Sequence, residues 1–155
     1  MIKRLLKIPD QSILLFGPRG TGKSTWIHHH FKDAVIYDLL NTSESLRLTR
    51  EPAALYREVE AVPADRWIVI DEIQKVPALL DEVHRLMENK RMRFVLSGSS
   101  ARKLRRGGSN LLAGRAIVAH LFPFVSAELG SDFSVSEAIV NGTLPMAVLG
   151  GDPVS

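Results

Sequence analysis

Gly17-Pro18-Arg19-Gly20-Thr21-Gly22-Lys23-Ser24 satisfies the pattern G-x-x-x-x-G-K-[ST] at every fixed position. The apolar run Ile13-Leu14-Leu15-Phe16 precedes it, and a helix-compatible stretch, Ser24 to Phe31, follows. A strand turning sharply into a helix leaves several backbone N–H groups unpaired at the positive end of the helix dipole, which is a ready site for an anion. Gly17, Gly20 and Gly22 allow a tight bend and a close approach to a polyphosphate. In this pattern Lys23 reaches the terminal phosphates and the Ser24 hydroxyl serves a magnesium ion. Pro18, Arg19, Thr21 and Thr25 complete the predicted phosphate-binding stretch. A glycine-rich turn that merely happens to precede a helix is the structural alternative, and the flanking strand and helix argue against it.

The remainder of the chain reads as one unit built around that loop. Its 155 residues are enough to bury a sizeable core, and 45% hydrophobic with 24% charged residues is ordinary for a globular protein. There are no cysteines, so disulfides and thiolate metal sites are excluded, in keeping with a cytoplasmic protein. The apolar segments are too short for a secretory signal or a membrane span. A net charge of +3 and a pI near 9.4 suit a polyanionic ligand without arguing for nucleic acid.

Short apolar segments alternate with helical ones, which predicts a parallel sheet flanked by helices. The predicted strands are Ile13 to Phe16, Ala34 to Asp38, Trp67 to Ile70, Phe94 to Leu96 and an apolar segment from Ala116 to Phe124. Ser43 to Ala61 reads as helical with a break near Pro52, and Ser43 as its N-cap. Pro77 opens a helix whose Leu79, Leu80, Val83, Leu86 and Met87 form one buried stripe. Met87 and Met92 read as core, and Trp67 as a strand-end anchor. Beyond Pro123 the chain turns Ser- and Gly-rich, with a weak helical signal at Val135 to Val140. Residues 1–130 are expected to be the core domain. Residues 131–155 read as the start of a truncated C-terminal region or a flexible tail.

The third strand ends in Asp71-Glu72. Beside a phosphate loop this is the expected second half of the site, with Asp71 on the metal and Glu72 polarising a water for in-line attack. The fourth strand ends in Ser97-Gly98-Ser99-Ser100, and strand C-termini in a parallel sheet face the ligand crevice. Ser97 or Ser99 is therefore a candidate γ-phosphate sensor, against the plainer reading of a Ser/Gly loop. Arg102-Lys103-Leu104-Arg105-Arg106 is more simply a solvated basic loop than a phosphate or nucleic-acid contact. Arg115 stands alone at the mouth of a strand and is a candidate for stabilising charge on a transferring phosphoryl group, in cis or from a neighbour. His28-His29-His30 project about 100° apart on a helix and cannot converge on one ion.

Several of these stretches together carry a resemblance. They are Ile2-Lys3-Arg4, the phosphate loop, Val69 to Pro77 with its Asp-Glu-Ile-Gln-Lys, and Leu96-Ser97-Gly98-Ser99-Ser100-Ala101-Arg102. Ala113-Gly114-Arg115, Leu121-Phe122-Pro123-Phe124 and Glu128 complete the set. The chain resembles the prokaryotic AAA-type ATPases of the AAA_14 family, whose members usually carry a C-terminal DUF4143 domain. The resemblance spans nearly the whole chain. It implies an α/β, three-layer P-loop NTPase fold of the ASCE/AAA-like kind, with a mostly parallel sheet in the order 5-1-4-3-2. It further implies an ATP- and Mg²⁺-binding core, a sensor at Ser97 or Ser99 and an arginine contributed by Arg115. Members of the family continue past the point where this chain stops, and Gly142-Thr143-Leu144-Pro145 resembles the opening of that further part. The chain therefore reads as a fragment, a truncated product or a natural minimal form.

The function expected from these residues is hydrolysis of ATP to ADP and phosphate, with Glu72, Lys23, Arg115, Ser97 and Ser99 as the catalytic set, Gly17 to Thr25 on the nucleotide, and Ser24 with Asp71 on magnesium. Two alternatives stand beside it: a nucleotide-binding switch without significant turnover, and a small-molecule or nucleoside kinase. The chain lacks the Asn-Lys-x-Asp motif of guanine readers. An unidentified protein partner or a second copy of the chain fits this reading. Nucleic acid is not required, and no membrane is implicated.

Overall fold

A computed structural model of the protein describes residues 2–105 and 111–150. The chain runs β1 (Ser12–Phe16), α1 (Lys23–His30), β2 (Val35–Asp38), α2 (Thr42–Arg50), α3 (Ala53–Val59) and β3 (Trp67–Asp71). A 3-10 turn (Ile73–Lys75), α4 (Leu79–Lys90), β4 (Arg93–Gly98), α5 (Ala101–Arg105) and β5 (Ala116–His120) follow. The short helices α6 (Ser126–Leu129), α7 (Val135–Asn141) and α8 (Pro145–Leu149) come last.

The five strands form one parallel sheet in the order β2-β3-β4-β1-β5. Read from the other edge this is 5-1-4-3-2, the order implied by the resemblance. β1 is buried at every position, as a central parallel strand covered on both faces must be. The strand period of two sorts its side chains. Leu14, Phe16, Ile68, Ile70, Phe94 and Leu96 join the residues of α3 and α4 in one core cluster. Ile13, Leu15, Val69 and Val95 join Trp26, Ile27 and Phe31 on the opposite face. The result is three layers, with each fully buried aliphatic side chain contributing about 1.5–3 kcal/mol.

Most elements lie where the sequence places them, and the differences have local causes. The helical break falls at Glu51 and Pro52, because proline has no N–H to continue the helix. The cap of α2 is Asn41 rather than Ser43; its side chain accepts from the N–H groups of Ser43 and Glu44 at 3.0 and 3.4 Å. β4 extends beyond Leu96 to Gly98, since Ser97 and Gly98 pair with Leu15 and Phe16 of β1. The apolar segment after Ala116 remains a strand only to His120, where the Leu121 N–H closes on the Phe16 carbonyl at 2.7 Å. Of the stretch from Gly142 to Ser155 read as a tail, Gly142 turns, Pro145–Leu149 forms α8 and the Phe124 N–H donates to the Thr143 carbonyl at 2.8 Å, while 151–155 lie outside the described residues. Of the basic run, Arg106 lies outside the described residues.

Candidate functional site

The parallel register brings the C-terminal ends of β1, β3 and β4 to one edge of the sheet. Leaving β1, the loop needs left-handed backbone at Gly20 (φ 84°) and Gly22 (φ 88°), which a residue with a Cβ adopts only with strain. Gly22 then caps α1 without any side-chain hydrogen bond, and no acid occupies the first turn. The N–H groups at the start of α1 and the positive end of its dipole are thus left for an anion. Thr21 is fully buried, and its hydroxyl donates to the Pro18 carbonyl at 2.9 Å, bracing the loop from inside. Lys23 is 6% exposed and donates to the carbonyls of Gly17 and Pro18 at 2.8 and 3.0 Å. Burial pushes its ammonium below the ordinary lysine range, while Glu72 and then Asp71 pull it back.

The tips of β3 and β4 meet the loop here. Ser24 Oγ donates to Asp71 Oδ2 at 2.8 Å. Ser97, fully buried, donates its hydroxyl to Asp71 Oδ1 and accepts from the Glu72 N–H at 3.3 Å. Ser97 is thus turned inward as a brace between the two acids, while Ser99 is half-buried at the rim. Glu72 itself has φ 60° and ψ 47°. A non-glycine residue in this left-handed conformation stores about 1–3 kcal/mol, a sign of a constrained functional position.

Ser24 and Asp71 offer hard oxygen donors, the type that magnesium prefers. The uncapped helix start and Lys23 suit phosphate. The residues present therefore fit a magnesium–nucleoside polyphosphate.

A family model described as an AAA domain, AAA_14, matches residues 9–130. The chain belongs to the AAA_14 family. It is a P-loop nucleotide-binding ATPase core of the AAA type. Among solved structures it is similar to the structure of C. elegans PCH-2, at 20% identity and a TM-score of 0.48, over 70% of this chain and 34% of that one. The chain thus spans about a third of the length of that protein. No curated protein matches.

Within this AAA domain, one predicted site residue lies away from the loop. Arg115 precedes β5, whose first residue, Ala116, is in register with Ser12 at the start of β1. The length of β1, roughly 16 Å at about 3.3 Å per residue, separates it from the phosphate loop of its own chain. It bonds instead to Glu88 at 2.5 Å and His84 at 2.7 Å, both on α4. Within the chain, Arg115 therefore stands apart from the phosphate loop. Arg102 is exposed on α5. His30 packs tilted against Trp26, ring centroids 4.6 Å apart, and His28 and His29 are exposed. Among the described residues no helix is long and apolar enough to cross a membrane.

Two features escaped the sequence reading. A cavity of about 130 Å³ opens beside α1, lined in part by Arg4, Thr25, Trp26, Phe124, Pro145 and Leu149. Arg4 makes one of its walls; it pairs with Glu128 at 3.3 Å, donates to the Phe122 carbonyl and lies over the Phe124 ring at 4.6 Å. Burial pushes its guanidinium below the usual range, and Glu128 opposes this. The motifs around Arg4 and Phe124 to Glu128 signalled that these segments matter, but nothing in their spacing says that they touch. The second feature is Gln74, whose side chain reaches back to Glu72.

Proposed function

We propose that this domain binds Mg·ATP along Gly17 to Thr25 and, with a neighbouring copy of the chain, hydrolyses it to ADP and phosphate to drive a conformational change. The observation that carries this reading is the Ser24–Asp71 hydrogen bond, because it joins the loop to the acid-tipped strand at one point. The loop N–H groups and Lys23 orient the polyphosphate and offset its charge. Ser24 and Asp71 hold the magnesium ion, which supplies further neutralisation of phosphate charge when bound. Glu72 accepts a proton from the attacking water as the water oxygen bonds to the γ-phosphorus and the bond to the β-phosphate oxygen breaks. Ser99 faces this edge as the γ-phosphate contact, while Ser97 acts by fixing Asp71 and Glu72.

The cavity beside α1 takes the nucleoside end. It is smaller than the about 300 Å³ of a whole small-molecule pocket, so the base enters it while the phosphates lie outside, over Gly20 to Ser24.

Arg115 serves the site of a neighbouring chain, since its own is a sheet length away. An isolated subunit then binds nucleotide and turns it over slowly, which is the switch-like behaviour of the alternative reading. Calorimetry with Mg·ATP and steady-state phosphate release test the proposal together. Lys23→Ala is expected to abolish binding. Glu72→Gln is expected to bind normally and release phosphate at least about tenfold more slowly; unchanged release would remove Glu72 from its role.

A further inference from the structure

Gln74 lies in the 3-10 turn that follows Glu72. Its Nε2 donates to the Glu72 carboxylate and, at 3.4 Å, to Ser99 Oγ. Among the described residues it is the one side chain that donates to that carboxylate. Its Oε1 is buried without a hydrogen-bond partner. That oxygen presses on β4 so closely that a Cβ at Gly98 would stand 2.5 Å from it. A buried amide oxygen with no partner is unfavourable, so the side chain is held in this pose by what its other end does. Glu72, on a left-handed turn, has three side-chain torsions and needs an external restraint to keep one direction.

We propose that Gln74 is a positioning residue for hydrolysis: its amide ties the Glu72 carboxylate at the tip of β3 to Ser99 at the tip of β4, and Gly98 is required because the amide passes where a side chain would stand. This rests on the role given above to Glu72. The tether joins the base to the candidate phosphate contact, so the two move together when the γ-phosphate arrives or leaves.

The test uses the full chain and three variants: Gln74→Met, which keeps length and removes the donor, Gly98→Ala, and the double variant. Gln74→Asn, too short to span, stands in if the methionine variant does not fold. The expected result is a loss of about tenfold or more in kcat, the scale of a misplaced catalytic group, with KM and calorimetric Mg·ATP affinity within about twofold. Gly98→Ala is expected to do the same, and the double variant no worse than the worse single one, as for residues acting through one contact. Unchanged kcat, or a loss shared equally by kcat and affinity, overturns the positioning role. Additive losses overturn the link to Gly98. The tether itself is read without turnover: the Gln74 side-chain amide pair in a ¹H–¹⁵N spectrum, identified by its loss in Gln74→Met, is expected to shift in Glu72→Ala. An amide that stays in place sinks the tether. A wild-type chain releasing no more phosphate than Lys23→Ala would instead overturn hydrolysis, and the kinetic role with it, while the spectrum still decides the contact.

Discussion

The hydroxyl of Ser24 and the carboxylate of Asp71 are 2.8 Å apart in space and 47 residues apart in sequence. One belongs to the first turn of α1, the other to the last position of β3, and the parallel order β3-β4-β1 brings their elements to the same edge. The contact follows from strand order, because a sheet with β3 at the far side of β2 would carry Asp71 away from the loop.

Because Ser24 and Asp71 are the two protein oxygens given to magnesium, removing either should weaken metal-dependent binding and spare the rest. Ser24→Ala and Asp71→Asn are each expected to lower affinity for ATP about tenfold or more with magnesium present and to have little effect with a chelator. That scale corresponds to roughly 1.4 kcal/mol. Calorimetric titrations under the two conditions check this; an equal loss in both would assign the pair to folding instead.

Arg115 and Lys23 occupy opposite ends of the sheet, which makes a mixing experiment decisive. Lys23→Ala is expected to be inactive in phosphate release, and Arg115→Ala to keep only the slow turnover of an unaided subunit. Combined in equal amounts they should recover part of the wild-type rate, because a Lys23→Ala subunit still lends its arginine to an intact loop next door. A mixture no faster than its components would leave Arg115 to its ion pair with Glu88.

The Arg4–Glu128 pair is nearly buried, with side-chain exposures of 10% and 6%. Truncating one partner leaves the other charged and poorly solvated, a loss of about 3 kcal/mol or more. Glu128→Ala should therefore lower the thermal midpoint by roughly 6–12 °C, and the N-terminal segment should become an early site of proteolysis. A midpoint within a degree or two of wild type would show that this strap is not anchored by the pair.

On α3, Glu58 gives the acid-side counterpart. The Arg47 guanidinium beside it, and then the Tyr37 hydroxyl at 3.0 Å, hold its carboxyl below the usual range; burial opposes them. Burial, and then the same contact with Glu58, push the Tyr37 phenol well up. A carboxyl depressed in the folded state stabilises above its unfolded pKa of about 4.3 and loses that contribution as pH falls through the folded value. Glu58→Gln should thus be less stable than wild type near pH 7, by a few tenths to about 1 kcal/mol for a half-exposed pair, and the gap should close by about pH 2. Denaturant midpoints at the two pH values measure it.

How far the sequence reached depends on the range of the interactions involved. The loop, the strand that feeds it and Asp71-Glu72 were legible because their signals are local: glycines at fixed spacing, apolar runs of strand length, acids at a strand end. The strand order came through resemblance, since no residue on β1 states which strand lies beside it. Ser97 and Ser99 look alike in sequence, yet Ser97 is paired within β4 and buried, while Ser99 lies past the strand's end at the rim. Arg115 was legible as an arginine at a strand mouth, but which end of a parallel strand it occupies only becomes clear once β5 is paired with β1. Arg4 with Glu128, and Gln74 with Gly98, were out of reach for the same reason. Each is a contact between segments whose patterns say nothing of each other.

The chain has two tryptophans. Trp26 is 3% exposed beside Thr25, walls the small cavity with Pro145 and Leu149, and has an indole N–H with no partner. Trp67 starts β3, at the opposite pole from Asp71, against Phe31 and Arg93. The protein thus carries its own optical probe: with Trp67 replaced by phenylalanine, ultraviolet emission reports from one indole alone, and that indole walls the cavity proposed above for the base.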